Sequence, residues 1–275
     1  MISDEEYQER IQDLNNKEFK NLYFIHIPKA AGSYIKQFPI KWGQSHEQFH
    51  SFSPVVGPWG TTVPEELLLP KSDPQLLLEK GEIISGYKKI EPTQISKKFL
   101  KFATIRNPFD YLVSCYFSKM VGVEYVNLDG WPLKKVSTGD IEEFLISFSK
   151  SERMYLQSRK NLFHQIFDNE GRCCVDVLIR VERIDEGLSL LNKEVFSNKL
   201  NISKKDHKNI TGEREINGKR QGYEKFYTSK TKKEIKKKIK RELSMFEYSF
   251  KGPTNKRPLV FLDRNKKYDI FKDFK

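Results

Sequence analysis

The stretch Leu22-Tyr-Phe-Ile-His-Ile-Pro-Lys-Ala-Ala-Gly-Ser33 constrains this chain more than any other. Residues 22–27 are apolar almost without interruption, the pattern of a short strand buried on both faces. The strand runs straight into a loop bearing Lys29 and Gly32, and the residues from Ser33 to about Phe38, before Pro39, read as a helix. The first N–H groups of a helix have no partner within it, so a strand, a glycine-bearing loop and a helix start in that order form a cradle for a phosphate-like anion. Gly32 lets the backbone approach the anion closely. The amides of Gly32, Ser33 and Tyr34 can donate to it, and Lys29 can reach the bridging oxygen of a leaving phosphate. The stretch is not a Walker A loop, which needs a Gly, four residues and then Gly-Lys-Ser/Thr; here Lys29 precedes the glycine. The plain alternative is a strand-to-helix turn with a solvated lysine.

The rest of the chain repeats the alternation. Glu82–Tyr87, Phe99–Ile105 and Cys173–Val181 read as strands. Residues 108–120, 141–148, 152–166, 185–192 and 229–246 read as helices, with a further charged helix within 1–20 through Tyr7, Ile11 and Leu14. Short apolar strands between helices predict an α/β fold, three layers deep, with a central, mainly parallel sheet flanked by helices. Residues 40–81 are rich in Pro, Gly, Trp and His and read as irregular. A segment of that length inside a domain is more often a binding element than a connector. In the last helix Ile235, Ile239, Leu243 and Phe246 share one face and Lys or Arg fills the others. The expected division is a charged segment at 1–19, a main domain at 20–250 and a basic tail at 251–275, partly packed through Leu259, Val260, Phe261 and Leu262.

With 49 Lys and Arg against 37 Asp and Glu, the net charge of +12 favours an anionic partner, although a solvated lysine-rich surface accounts for it equally well. Cys115, Cys173 and Cys174 are odd in number and have no metal-ligand spacing, which points to a reducing compartment and no metal. The polar, acidic N-terminus is not a signal peptide, and no apolar run approaches a membrane span, so the expected location is cytoplasmic.

A second stretch, Thr104-Ile-Arg-Asn-Pro-Phe-Asp-Tyr-Leu-Val-Ser-Cys-Tyr116, has the same shape as the first. Asn107 reads as the helix cap, Pro108 as its first residue, and Asp110 complements the helix dipole. Arg106 leaves the strand end, suited to a bidentate phosphate contact, and Ser114 follows two turns into the helix.

Together the two stretches closely resemble the signature motifs of sulfotransferases that use 3′-phosphoadenosine 5′-phosphosulfate (PAPS). Phe24–Ser33 is similar to their 5′-phosphosulfate loop, F-[IV]-H-[IV]-P-K-[TA]-[AG]-G-[ST]. It departs from the commoner pattern at Tyr34, where a small or hydroxyl residue is usual. Ile105–Tyr116 is similar to their 3′-phosphate motif, departing at Tyr111, where arginine is frequent. Weaker similarity continues through Val175–Asp185, Asp206–Thr211, Tyr223–Thr228 and Phe246–Phe250.

The resemblance implies a P-loop-like sulfotransferase fold with PAPS as co-substrate. Lys29, Ala30, Ala31, Gly32, Ser33 and Tyr34 would lie at the phosphosulfate, and Arg106 and Ser114 at the 3′-phosphate. Lys29 would also stabilise the charge that builds up as the sulfuryl group leaves. The acceptor is expected to be a small molecule or a glycan, not a nucleic acid. A hydroxyl acceptor needs a general base. Many carbohydrate-modifying relatives carry a histidine where this chain has Tyr87. The favoured position here is His46, with His50 and Glu47 as the alternatives, and all three lie in the irregular segment. The rival readings are a nucleotide kinase, disfavoured by the missing Gly-Lys-Ser/Thr, and a basic nucleotide-binding module, supported by charge alone.

Overall fold

The computed structural model describes residues 2–25, 27, 30–35, 37–38, 40–43, 97–117, 141–152, 155, 166–167, 171–202, 215–216 and 219–269. The expected strand at 82–87 lies outside the described residues, as do Lys29, His46, Glu47, His50 and Tyr87. The chain divides into two units. One comprises Met1–Thr104, Asn161–Lys205 and Pro258–Lys275; the other comprises Ile105–Lys160 and Asp206–Arg257.

The first unit is built on a five-stranded sheet. Its strands are β1 (Asn21–Ile25), β2 (Lys41–Gly43), β3 (Phe99–Ile105), β4 (Val177–Arg180) and β9 (Leu259–Val260), in the order β2-β1-β3-β4-β9. β1 runs parallel to β2 and to β3, with Tyr23 opposite Lys41 and Lys101, whereas β9 pairs antiparallel with β4. The fold is therefore α/β with a central, mainly parallel sheet flanked by helices. Leu22, Phe24, Leu100, Phe102, Val177, Ile179 and Leu259 share one core cluster, and their neighbours Tyr23, Ile25, Lys101, Ala103 and Leu178 are buried too. Burial on both faces explains why β1, β3 and β4 are dominated by apolar residues, with Lys101 and Thr104 as buried exceptions in β3. Burial lowers the pKa of the Lys101 ammonium, opposed by the nearby Asp176 carboxylate. Asp176 accepts from the Lys101 amide at 2.7 Å and from Arg264 at 2.6 Å.

Helix α1 (Asp4–Asn15) starts where Ser3 caps the Glu6 amide, and Asp4, Glu5 and Glu6 face the positive end of the dipole. Tyr7, Ile11 and Leu14, the three apolar positions of that segment, are the ones it buries. They join Leu188 and Leu191 of a later helix, Ile184–Glu194, in the same cluster.

Three differences from the sequence reading have physical causes. β2 lies at the start of the segment read as irregular: three residues with Gly43 at the end are too short to show a period, and pairing with β1 supplies what propensity does not. The run at 173–181 is a strand only over Val177–Arg180, while Cys173 makes an isolated bridge to Phe167. The tail contributes β9, an edge strand of the central sheet.

The second unit holds α3 (Pro108–Phe117), α4 (Ile141–Lys150), α6 (Ser229–Lys238) and α7 (Lys240–Met245), with two short antiparallel pairs, β5 (Glu215–Ile216) with β6 (Lys219–Arg220) and β7 (Tyr248–Ser249) with β8 (Gly252–Pro253). A Thr228–Thr231 capping box opens α6. The expected helix at 229–246 is interrupted at Ile239, whose ψ of 20° ends α6 and starts α7. The apolar stripe survives the break: Ile235, Ile239, Leu243 and Phe246 are all buried.

Candidate functional site

The parallel strands β1 and β3 lie side by side and end at the same edge of the sheet. In open α/β sheets, binding residues gather beyond the carboxyl ends of such strands. Each of these two strands feeds a turn that the sequence singled out.

After β1, the chain reaches α2 (Gly32–Ile35), a single turn of helix. Ile27 and Ala30 are fully buried. The Ala30 amide donates to the Ile27 carbonyl at 3.2 Å, and the Thr104 hydroxyl at the end of β3 donates to the Ala30 carbonyl. Ala31 adopts a left-handed conformation, φ +61°, uncommon for a residue with a β-carbon. Its carbonyl accepts from the amides of Tyr34, at 3.0 Å, and Ile35, at 3.1 Å. The Tyr34 amide is thus engaged within the turn. The amides of Ala31, Gly32 and Ser33 have no hydrogen-bond partner among the described residues, as expected at a helix start. Tyr34 itself is 3% exposed. Its ring meets Phe38 edge-on at 5.3 Å, and its hydroxyl donates to the Asp185 carboxylate.

After β3, Arg106 and Asn107 precede α3. Asn107 is 1% exposed and uses its whole side chain. Its Oδ1 caps the helix by accepting from the Phe109 amide at 3.0 Å. Its Nδ2 donates to the Tyr223 hydroxyl at 3.0 Å and to the Ser249 carbonyl at 2.8 Å. Phe109 stacks edge-on with Tyr227 and Phe250, and the Tyr227 hydroxyl donates to the Phe109 carbonyl at 2.8 Å. The strand-to-helix junction is therefore anchored to the 223–250 segment.

On that anchored turn, Arg106 is an ion-paired but not a surface residue: its side chain is 14% exposed and that of Asp110 16%. Arg106 Nε lies 3.2 Å from Asp110 Oδ2 yet is misaligned for a hydrogen bond, and the buried Nε has no hydrogen-bond partner among the described residues. A largely buried arginine with donor capacity to spare, oriented by a carboxylate, suits the oxygens of an anion. Ser114 is one turn beyond Asp110 on the same helix and half-buried, and no hydrogen bond of its hydroxyl occurs among the described residues. It is not spent on its own helix.

A family model described as the sulfotransferase family matches residues 12–249, most of the chain and both of these turns. The chain belongs to the sulfotransferase family. No curated protein and no solved structure matches it. Family membership makes it a transferase that moves a sulfuryl group.

Around each of the two turns the structure adds residues that the sequence motifs do not include. Thr104 and Asp185 fix the first turn, while Tyr223, Ser249 and Tyr227 fix the second. Asp185 is 151 positions from Tyr34, and no spacing signal links the two. Tyr223–Thr228 and Phe246–Phe250 stood out only through their similarity to family patterns. Glu215–Ile216 and Lys219–Arg220 pair antiparallel. On α6 and α7, Lys230, Lys233, Lys236, Lys237, Lys240 and Arg241 are exposed. Among the described residues no helix is long and apolar enough to cross a membrane, and none of Cys115, Cys173 and Cys174 is in a disulfide.

Proposed function

We propose that the chain transfers the sulfuryl group of PAPS, in line, to a hydroxyl or amine of a carbohydrate or small natural-product acceptor. The observation that supports this reading is the largely buried Arg106 side chain, whose Nε has no hydrogen-bond partner among the described residues, on a turn whose sequence resembles the family's 3′-phosphate motif. An ordinary nucleoside monophosphate has no group for it to hold. In this reading, Arg106 and Ser114 bind the 3′-phosphate. The amides of Ala31, Gly32 and Ser33 receive the phosphosulfate end, with Ala30 and Tyr34 as the flanking residues of that loop. When bound, PAPS supplies the sulfuryl group, and adenosine 3′,5′-bisphosphate is the product released.

Lys29 then acts by charge. Its ammonium would offset the negative charge that accumulates as the sulfuryl group leaves, with the loop amides as fixed dipoles that need no reorganisation. His46 takes the proton of a hydroxyl acceptor, with His50, Glu47 and Tyr87 as the other positions for that role. The reaction needs no metal, because the lysine and the amides carry the charge stabilisation. That none of the three cysteines is in a disulfide supports a reducing, cytoplasmic location.

The test is transfer of labelled sulfate from PAPS into a metabolite and glycan extract. Labelled products are expected in the presence of chelator, and Lys29→Ala should reduce the rate by about 100-fold or more. Transfer of label from ATP instead would make the chain a phosphotransferase and overturn the reading.

A further inference from the structure

We propose that Tyr34 and Asp185 form a positioning pair for the loop at 27–35, setting how tightly the chain holds its sulfuryl donor. This rests on the assignment of that loop to the phosphosulfate. Helix α2 is a single turn of four residues, and helices that short are not stable on their own. The residue just before it, Ala31, is left-handed at φ +61°, which costs an alanine about 1–2 kcal/mol. Neither feature favours the loop conformation intrinsically, so tertiary contacts must impose it.

Two contacts do so, one on each side of Ala31. Upstream, the Thr104 hydroxyl holds the Ala30 carbonyl; downstream, the Tyr34 hydroxyl is held by Asp185. Asp185 is the second residue of α5 (Ile184–Glu194), entered directly from β4 through the 3-10 turn Val181–Arg183. A carboxylate in a first helical turn is favoured by the dipole.

The tyrosine is also the loop's departure from the commoner family pattern, where a small or hydroxyl residue stands. A small side chain at position 34 could not reach the Asp185 carboxylate. Here the ring reaches it and is buried against Phe38 on the way. The amides of Gly32 and Ser33 precede Tyr34 directly, so the pair fixes the backbone that presents them. Without it, the loop must be ordered when the donor binds, at a cost in affinity.

The experiment measures binding of adenosine 3′,5′-bisphosphate by calorimetry, with melting temperature alongside. Tyr34→Phe and Asp185→Ala should each weaken binding about tenfold, and the double variant by less than the product of the two, because both remove the shared contact. Asp185→Asn, which keeps an acceptor, should restore binding to near wild type. If all variants melt earlier but bind with unchanged affinity, the pair is structural only and the proposal is wrong. If Asp185→Ala does not fold, Tyr34→Phe, which removes a single oxygen, carries the test alone. Failure of the wild type to bind the bisphosphate would sink the functional reading together with this one. Wild-type binding with indifferent variants would sink only the positioning role.

Discussion

The turn after β1 and the turn after β3 both lead from the central sheet into a helix, but they are held differently. The second carries its own local start signal, although Tyr223, Tyr227 and Ser249 also hold it from a distance. Asn107 caps, Pro108 takes the first helical position and needs no N–H there, Asp110 orients Arg106, and ten residues of helix follow. The first has no side-chain cap of that kind. It has one turn of helix, a left-handed alanine, and tethers from Thr104 and Asp185, both distant in sequence. A turn that writes its own geometry can spare side chains for a ligand, as Arg106 and Ser114 are spared. A turn held from outside offers chiefly backbone amides, and its affinity depends on whatever holds it.

That contrast can be broken by mutation. The largest loss should come from Asn107→Ala, which removes the cap and leaves the Ser249 carbonyl without its Asn107 donor. About 3 kcal/mol of stability is expected to go, read by urea denaturation. If the loss were only a few tenths, the second turn would not depend on its cap. Thr104→Val should cost about 2 kcal/mol, because the buried Ala30 carbonyl loses its hydroxyl donor within an unchanged shape. The same variant should weaken binding of adenosine 3′,5′-bisphosphate, whereas a stability loss with unaltered binding would show that this tether does not serve the loop. The smallest effect has the opposite sign. Ala31→Gly should stabilise by up to about 1 kcal/mol, since glycine adopts the left-handed conformation without strain, partly offset by its larger unfolded-state entropy. A destabilised Ala31→Gly would mean that Ala31 is not strained in the folded chain.

How much of this was legible in the sequence follows the same line. Strand β3 and the start of α3 were readable to the residue, because Phe99–Ile105 is mostly apolar, broken only by Lys101 and Thr104, and Asn107-Pro108 is a local stop-and-start signal. The buried stripe of Ile235, Ile239, Leu243 and Phe246 was readable from its period. The break at Ile239 was not, since no Gly or Pro marks it. β9 was missed as a strand because two apolar residues, Leu259 and Val260, have no period; their register against Leu178 and Ile179 comes from the sheet. At the site, Lys29, Gly32, Arg106 and Ser114 were visible as motif residues. Thr104 and Asp185 were not, because what they do depends on chain segments brought together only by folding.

The central claim is that Arg106 reads a 3′-phosphate. The direct measurement is the affinity of adenosine 3′,5′-bisphosphate relative to adenosine 5′-monophosphate, by calorimetry without magnesium, in the wild type and in Arg106→Ala. The wild type should prefer the bisphosphate by about 10- to 100-fold, the span of a charge-assisted contact, and Arg106→Ala should abolish that preference while binding the monophosphate as before. Equal affinities for the two nucleotides in the wild type, or a preference that survives Arg106→Ala, would contradict it.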